Sequence, residues 1–245
     1  MMYKIVITGP IGVGKTTLSR RISRYLQQRF NDRFIFIPEY IDDPKTSLMS
    51  HEMLRMYLST NPEEHLSDLG FQSWIQCYYI RQANRLDIDD TKILLFERSM
   101  SDSIAIFCNL ANARGAIDDM NFLIMFMNCI NIDRKNNIPN YFIKNFAFSI
   151  IDNGPGQDAY NEIIKIIEDD IASGVSNRVV GLQATYETCY DRIVERSRAS
   201  EVDANGDAAY SMDYMKHHCS MYTKLYELIQ SDKKEVSLLD LAKLR

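Results

Sequence analysis

Short apolar runs alternate with longer stretches of helical periodicity along this chain. Tyr3 to Ile7 is an apolar run ended by polar Thr8, and it reads as a buried strand. Gly9 to Gly14 is a glycine-rich turn. After Thr16, Leu18, Ile22, Tyr25 and Leu26 recur at helical spacing, with Arg20, Arg21, Arg24 and Arg29 on the other faces. Phe34 to Ile37 makes a second strand, stopped by Pro38. Helices are expected from Thr46 to Leu58 and from Leu66 to Leu86, the latter with Trp74, Cys77 and Tyr78 on its apolar side. Ile93 to Phe96 is a third strand, followed by helices over Ser101 to Ala113 and Ile117 to Asn131.

The segment from Asn131 to Gly156 breaks this rhythm. It holds Pro139, an aromatic-rich run from Tyr141 to Phe148 and a Gly154-Pro155-Gly156 turn, and it reads as a loop-rich excursion with room for one short element. Helical periodicity returns from Tyr160 to Ile171. Arg178 to Gln183 is a fourth strand, Tyr186 to Arg196 a helix, Ala199 to Ala209 a polar loop and Tyr210 to Gln230 a long helix. Val236 to Leu239 is the expected last strand. Strands alternating with helices predict one α/β domain over residues 1–245, with a parallel sheet covered on both faces. Ligands of such sheets bind beyond the C-terminal ends of the strands.

Composition narrows the class. Of the 245 residues, 46% are hydrophobic and 25% charged, which excludes wholesale disorder. The longest apolar stretch near the middle, Phe122 to Met127, is far short of the ~20 residues a spanning helix needs. No secretory apolar region stands at the N-terminus, so a cytoplasmic location without membrane contact is expected. A net charge of -5 argues against a nucleic-acid partner. The 5 cysteines form no C-x-x-C pair and read as buried free thiols. His217-His218-Cys219 is not read as a metal site, because neighbours on a helix point in different directions.

Candidate chemistry begins after the first strand. Gly9-Pro10-Ile11-Gly12-Val13-Gly14-Lys15-Thr16, with Thr17 behind it, fits G-x-x-x-x-G-K-[ST] at every fixed position. The glycines let backbone N–H groups curl around phosphate oxygens at a helix N-terminus. Lys15 can reach the outer phosphates, and the Thr16 hydroxyl can join a Mg²⁺ shell. The plainer alternative is a glycine-rich turn that binds nothing. The motif implies ATP or another nucleoside triphosphate but not its fate.

Glu39 follows the second strand, where a carboxylate could take a proton from an attacking hydroxyl; a capping or solvated glutamate is the alternative. Glu97-Arg98-Ser99 follows the third. Glu97 there can hold Mg²⁺ through water and Arg98 can offset charge on a transferred phosphoryl group, unless the two are a surface ion pair. Arg192, Arg196 and Arg198 cluster at a helix end, as a lid over ATP or as a solvated patch with Glu195 and Glu201.

Together the P-loop, Gly70-Phe71-Gln72-Ser73-Trp74, Glu97-Arg98-Ser99 and the stretch from Arg192 to Glu201 resemble the deoxynucleoside kinases, cellular and viral. The resemblance implies a P-loop kinase with a five-stranded parallel sheet and an arginine-containing lid around residues 192–209. It implies transfer of the ATP γ-phosphoryl group to a deoxynucleoside 5′-hydroxyl, with Mg²⁺. Glu39 would be the base, Arg98 would hold the hydroxyl and the phosphoryl group, and Glu97 would orient the magnesium shell. Gln72 would pair with the nucleobase and Phe71 would wall its pocket. Tyr57 and Glu201 would grip the 3′-hydroxyl, and Arg192, Arg196 and Arg198 would clamp the phosphates.

The resemblance has departures. The family places a tryptophan shortly after the base glutamate; here Tyr40 or Ile41 stands in that region. Members that take deoxycytidine and purines tend to carry an arginine and an aspartate where this chain has Tyr79 and Ser103, which leans the reading towards thymidine or another pyrimidine deoxynucleoside. Residues 131–156 read as an insertion. The helix from Ile117 to Asn131, with Met120, Met125 and Met127, offers a dimer face of the kind the family uses. Thymidylate kinase and a catalytically inactive nucleotide-binding regulator are the competing readings.

Overall fold

The computed structural model describes residues 2–59, 61–85, 91–152, 155–196, 210–231 and 235–244. Its centre is a five-stranded, all-parallel sheet: β1 (Tyr3–Thr8), β2 (Phe34–Ile37), β3 (Ile93–Glu97), β4 (Ala147–Ile151) and β5 (Asn177–Leu182), in the order β2-β3-β1-β5-β4. Alternation along each strand divides the core in two. Ile5 and Ile7 of β1, Leu95 of β3 and Leu182 of β5 pack with α1 (Lys15–Phe30), α7 (Gln157–Ser173) and α8 (Tyr186–Arg196). Val6, Leu94, Phe96 and Val179 face α3 (Asp68–Arg85), α6 (Asp119–Lys135) and α9 (Met212–Gln230) on the other side.

Two expectations are corrected. Val236 to Leu239 is not a strand: Ser237 and Asp240 cap α10 (Leu238–Leu244) through reciprocal hydrogen bonds. The fifth strand is instead β4, inside the segment read as a loop-rich excursion. Residues 131–156 are not a surface appendage. Tyr141 and Phe142 are buried, and Lys4 of β1 donates to the carbonyls of Asn136 and Asn137 at 2.9 Å each, satisfying the end of α6.

The helix expected from Ser101 is continuous but not uniform. A capping box between Ser99 and Asp102 starts α4 (Met100–Asp102), a π-helical stretch runs over Ser103–Cys108, and α5 (Asn109–Ala113) completes it. Between β2 and α3 lies α2 (Ser47–Leu58). Cys108, Cys129 and Cys189 are buried free thiols as expected, whereas Cys77 is exposed and Cys219 half-buried. No helix among the described residues is long and apolar enough to cross a membrane.

Candidate active site

A cavity of about 610 Å³ opens beyond the C-terminal ends of β1, β2 and β3, a size suited to a small organic ligand. One end of it is the glycine turn between β1 and α1. Gly12 and Gly14 have φ of 79° and 102°, a region that L side chains rarely enter. A Cβ on Gly14 would stand 2.7 Å from Pro155, and one on Gly12 would strike the Cys189 carbonyl of α8. The turn thus requires glycine twice over, for its torsions and for what closes on it.

Ile11, Gly12, Gly14, Lys15, Thr16 and Thr17 line the cavity. Gly9, Pro10 and Val13 are buried behind it and shape the turn: the Pro10 carbonyl accepts from Lys15 Nζ at 2.8 Å, and the Val13 carbonyl accepts from Arg192 at 3.0 Å. Burial and the neighbouring Arg98 lower the pKa of the Lys15 ammonium.

Glu39 and Arg98 meet at the mouth of β2 and β3, with Arg98 Nε 3.0 Å from Glu39 Oε1. Arg98 has φ of 64°, an uncommon torsion for a non-glycine residue, and its N–H donates to the Ile7 carbonyl at 2.9 Å. Its guanidinium donates to the Tyr222 hydroxyl and lies over Phe107, 5.2 Å from the ring centroid. Tyr222 and Tyr141 both donate to Asp102 Oδ1, at 3.4 and 2.9 Å, and the Thr8 hydroxyl donates to the same oxygen. Asp102 is therefore a buried tie between β1, α4, α9 and the segment that carries β4.

At the far end, Phe71, Gln72 and Tyr79 of α3 line the cavity, with Tyr57, Leu54 and Ile75. Tyr57 stacks on Phe71 with centroids 4.4 Å apart. Tyr40 and Ile41 also line it. Tyr40 packs edge-on against Phe71, Trp74 and Tyr78, so it stands where the wall lacked a tryptophan. The Ser103 hydroxyl donates to Gln72 Oε1 at 2.9 Å. Ser103 and Phe107, four residues apart, both reach the cavity from the π-helical stretch.

The Tyr57 hydroxyl donates to Asp68 Oδ1 at 3.0 Å, where Arg114 also binds at 2.7 Å. Glu201 and Arg198 lie outside the described residues, as does most of the expected lid; Arg192 and Arg196 line the cavity. Glu97 lines a second cavity instead, shared with Thr16 and Arg20.

The residues present fit a magnesium ion. The Thr16 hydroxyl donates to Glu97 Oε1 at 2.5 Å, while Glu97 Oε2 is buried with no hydrogen-bond partner. Burial and nearby Glu39 push the Glu97 carboxyl up. A hard cation beside these oxygens would supply what Oε2 lacks.

Sequence reading missed Arg20, Tyr210 and Tyr214 as cavity residues, and Tyr222 and His218 beside them. Arg20 is four residues after Thr16 and so shares its helix face. Tyr210, Tyr214, His218 and Tyr222 also recur every four residues into α9; the first three rings stack in succession and Tyr222 meets His218 edge-on. His218 is fully buried, and its Nε2 accepts the Ile11 N–H of the glycine turn at 3.3 Å. That spacing was the available signal, and it was indistinguishable from an apolar core stripe.

The parallel sheet, the glycine turn at the end of its central strand and the Glu39–Arg98 pair after β2 and β3 fit a P-loop kinase fold. A family model for deoxynucleoside kinases matches residues 5–143, more than half of the 245-residue chain. The chain belongs to the deoxynucleoside kinase family, and membership implies a kinase-type phosphotransferase acting on a small nucleoside. A search of curated proteins returns no match.

Proposed function

We propose that the protein transfers the γ-phosphoryl group of ATP to the 5′-hydroxyl of a deoxynucleoside, with thymidine or another pyrimidine deoxynucleoside preferred. The observation that carries this reading is the Glu39–Arg98 pair, 3.0 Å apart in the same cavity as the Lys15 cradle. A carboxylate that accepts a proton and a cation that offsets phosphoryl charge then face one hydroxyl. Glu39 takes the 5′-hydroxyl proton as the oxygen attacks. Arg98, Lys15, Arg192 and Arg196 hold the phosphoryl oxygens, so positioning and charge account for most of the catalysis. Thr16 and Glu97 would hold Mg²⁺, which neutralises phosphate charge when bound.

At the base end Gln72 offers both a carbonyl and an amide, the two functions a pyrimidine edge needs. Its carbonyl is already oriented by Ser103. Tyr79 is buried against that end and leaves less room for a purine. Tyr57 lines the cavity and would bind the 3′-hydroxyl with Glu201. Met120, Leu123, Ile124 and Met127 are exposed on one helix, α6, and support a homodimer through that face.

ADP release with ATP–Mg²⁺ tests the reading against thymidine, deoxycytidine, deoxyadenosine, deoxyguanosine, uridine and thymidine monophosphate. Turnover with thymidine and little with uridine is expected. Turnover with the monophosphate alone would make the protein a thymidylate kinase, and none at all would make it a nucleotide-binding regulator. Glu39→Gln should cut turnover about 100-fold or more while ATP still binds. Unchanged turnover removes Glu39 from the chemistry.

A further inference from the structure

Glu97 does not open into the nucleoside cavity. It faces a neighbouring cavity of about 580 Å³, walled by Ile35, Phe36 and Ile37 and by the loop from Pro38 to Lys45. Thr16 and Arg20 line both spaces, so the two meet at the first turn of α1. The loop brings two adjacent aspartates to this second space, and they are differently engaged. Asp43 is spent on the scaffold: its carboxylate accepts from Gln82 Nε2 and from the Lys45 N–H, both at 2.9 Å. Asp42 turns to the cation end. Its Oδ2 lies 3.4 Å from the Thr16 hydroxyl and its Oδ1 3.3 Å from Arg20, with the carboxylate side chain only 12% exposed.

Thr16 Oγ1 thus stands between two carboxylates, Glu97 at 2.5 Å and Asp42 at 3.4 Å. The fully buried Glu97 has an oxygen, Oε2, with no partner in this space. Among the described residues no cluster of three acidic or soft ligands could hold a metal by itself. Magnesium bound with a nucleotide needs none, because it retains waters and takes phosphate oxygens.

We infer that Asp42 is a third residue of the magnesium site, acting as a positioning residue that anchors cation-bound water opposite Glu97. Arg20 holds its other oxygen and fixes the carboxylate's direction. This inference rests on the reading of Thr16 and Glu97 as the magnesium-binding pair. It makes the second cavity the aqueous side of the active site, through which the hydrated cation is reached.

The test is Mn²⁺ binding to the intact protein with ATP, followed by electron paramagnetic resonance, beside ATP binding without metal. Asp42→Asn should weaken Mn²⁺ in the ternary complex by about 10- to 100-fold, the usual cost of removing a residue behind a metal's ligands. Metal-free ATP affinity and melting temperature should be unchanged, and Asp42→Glu should recover part of the loss. Equal Mn²⁺ affinity in wild type and Asp42→Asn overturns the inference while leaving Thr16 and Glu97 in place. An unchanged affinity in Glu97→Gln as well overturns the underlying reading of the pair. A loss that Asp42→Glu does not reduce at all also overturns it, since a mere loop effect would not follow the carboxylate.

Discussion

Glu97 and Asp133 are both buried carboxylic acids, and burial pushes both upward, Asp133 to about 7. Their surroundings differ. Asp133 sits near the end of α6, where its Oδ2 accepts from Asn140 at 2.7 Å and Cys129 at 3.7 Å. Glu97 sits at the end of β3 with one oxygen on Thr16 and the other on nothing. A perturbed carboxyl therefore does not by itself mark a site. What separates the two is whether the protein completes the acid's hydrogen bonds. The corner around Asp133 is closed by its own side chains, whereas the corner around Glu97 needs something from outside.

The largest effect should come from the open corner. Glu97→Gln should lower turnover about 100-fold at a fixed Mg²⁺ concentration, because the amide is a far poorer partner for a hard cation. Its melting temperature should hold or rise, since the substitution removes a buried charge with an unpaired oxygen. Intact turnover with a lower melting temperature would make Glu97 a scaffold acid like Asp133, and the contrast would collapse.

The closed corner should respond in the opposite way. Asp133→Ala leaves the Asn140 amide only the weak Cys129 Sγ acceptor, at 3.2 Å, and a poorly satisfied buried donor costs about 1–3 kcal/mol before any cavity is counted. Turnover per folded molecule should stay at the wild-type level. The pH dependence has a definite sign. An ordinary aspartate ionises near 3.8, whereas this one does so in the folded protein only at about 7. Between those values the folded state holds a proton that the unfolded chain has released, so stability falls as pH rises from about 4 to 7. Asp133→Asn carries no such proton. Its melting temperature, compared with wild type at each pH, should gain progressively across that window. Parallel curves would place the Asp133 carboxyl at its ordinary value.

This contrast also divides what the sequence made legible from what it did not. The glycine turn, Glu39, Arg98 and Gln72 could be singled out because each stands at a strand end or within a spaced motif. Four of the five strands were readable because each carries a short, largely buried apolar run between polar boundaries. β4 was not, since its residues Ala147 to Ile150 are only half-buried at the sheet edge and follow an aromatic loop. Its placement depends on pairing with β5, a contact that no local pattern announces. Asp102 was similar. Its partners Thr8, Tyr141 and Tyr222 come from three distant segments. Tyr57 lines the cavity, yet Asp68 as its hydroxyl partner could be seen only in space.

Ser103 tests the contrast where it is finest, because its pair with Gln72 is satisfied by the protein and yet lines the cavity. If partner completeness alone decided function, the pair would be inert scaffold like Asp133 and Asn140. If location also counts, removing the hydroxyl should touch binding without touching chemistry. Ser103→Ala leaves Gln72 Oε1 only the weak Cys108 thiol donor, at 3.7 Å, and one lost neutral hydrogen bond is worth about 1 kcal/mol. The KM for a pyrimidine deoxynucleoside should therefore rise about fivefold, with kcat and the KM for ATP unchanged. A fall in kcat of the size expected for Glu97→Gln would move Ser103 into the chemistry. An unchanged KM would mean that packing against Phe71 and Tyr79 aims the Gln72 amide without help, and Ser103 would join Asp133 among the polar groups that serve the fold alone.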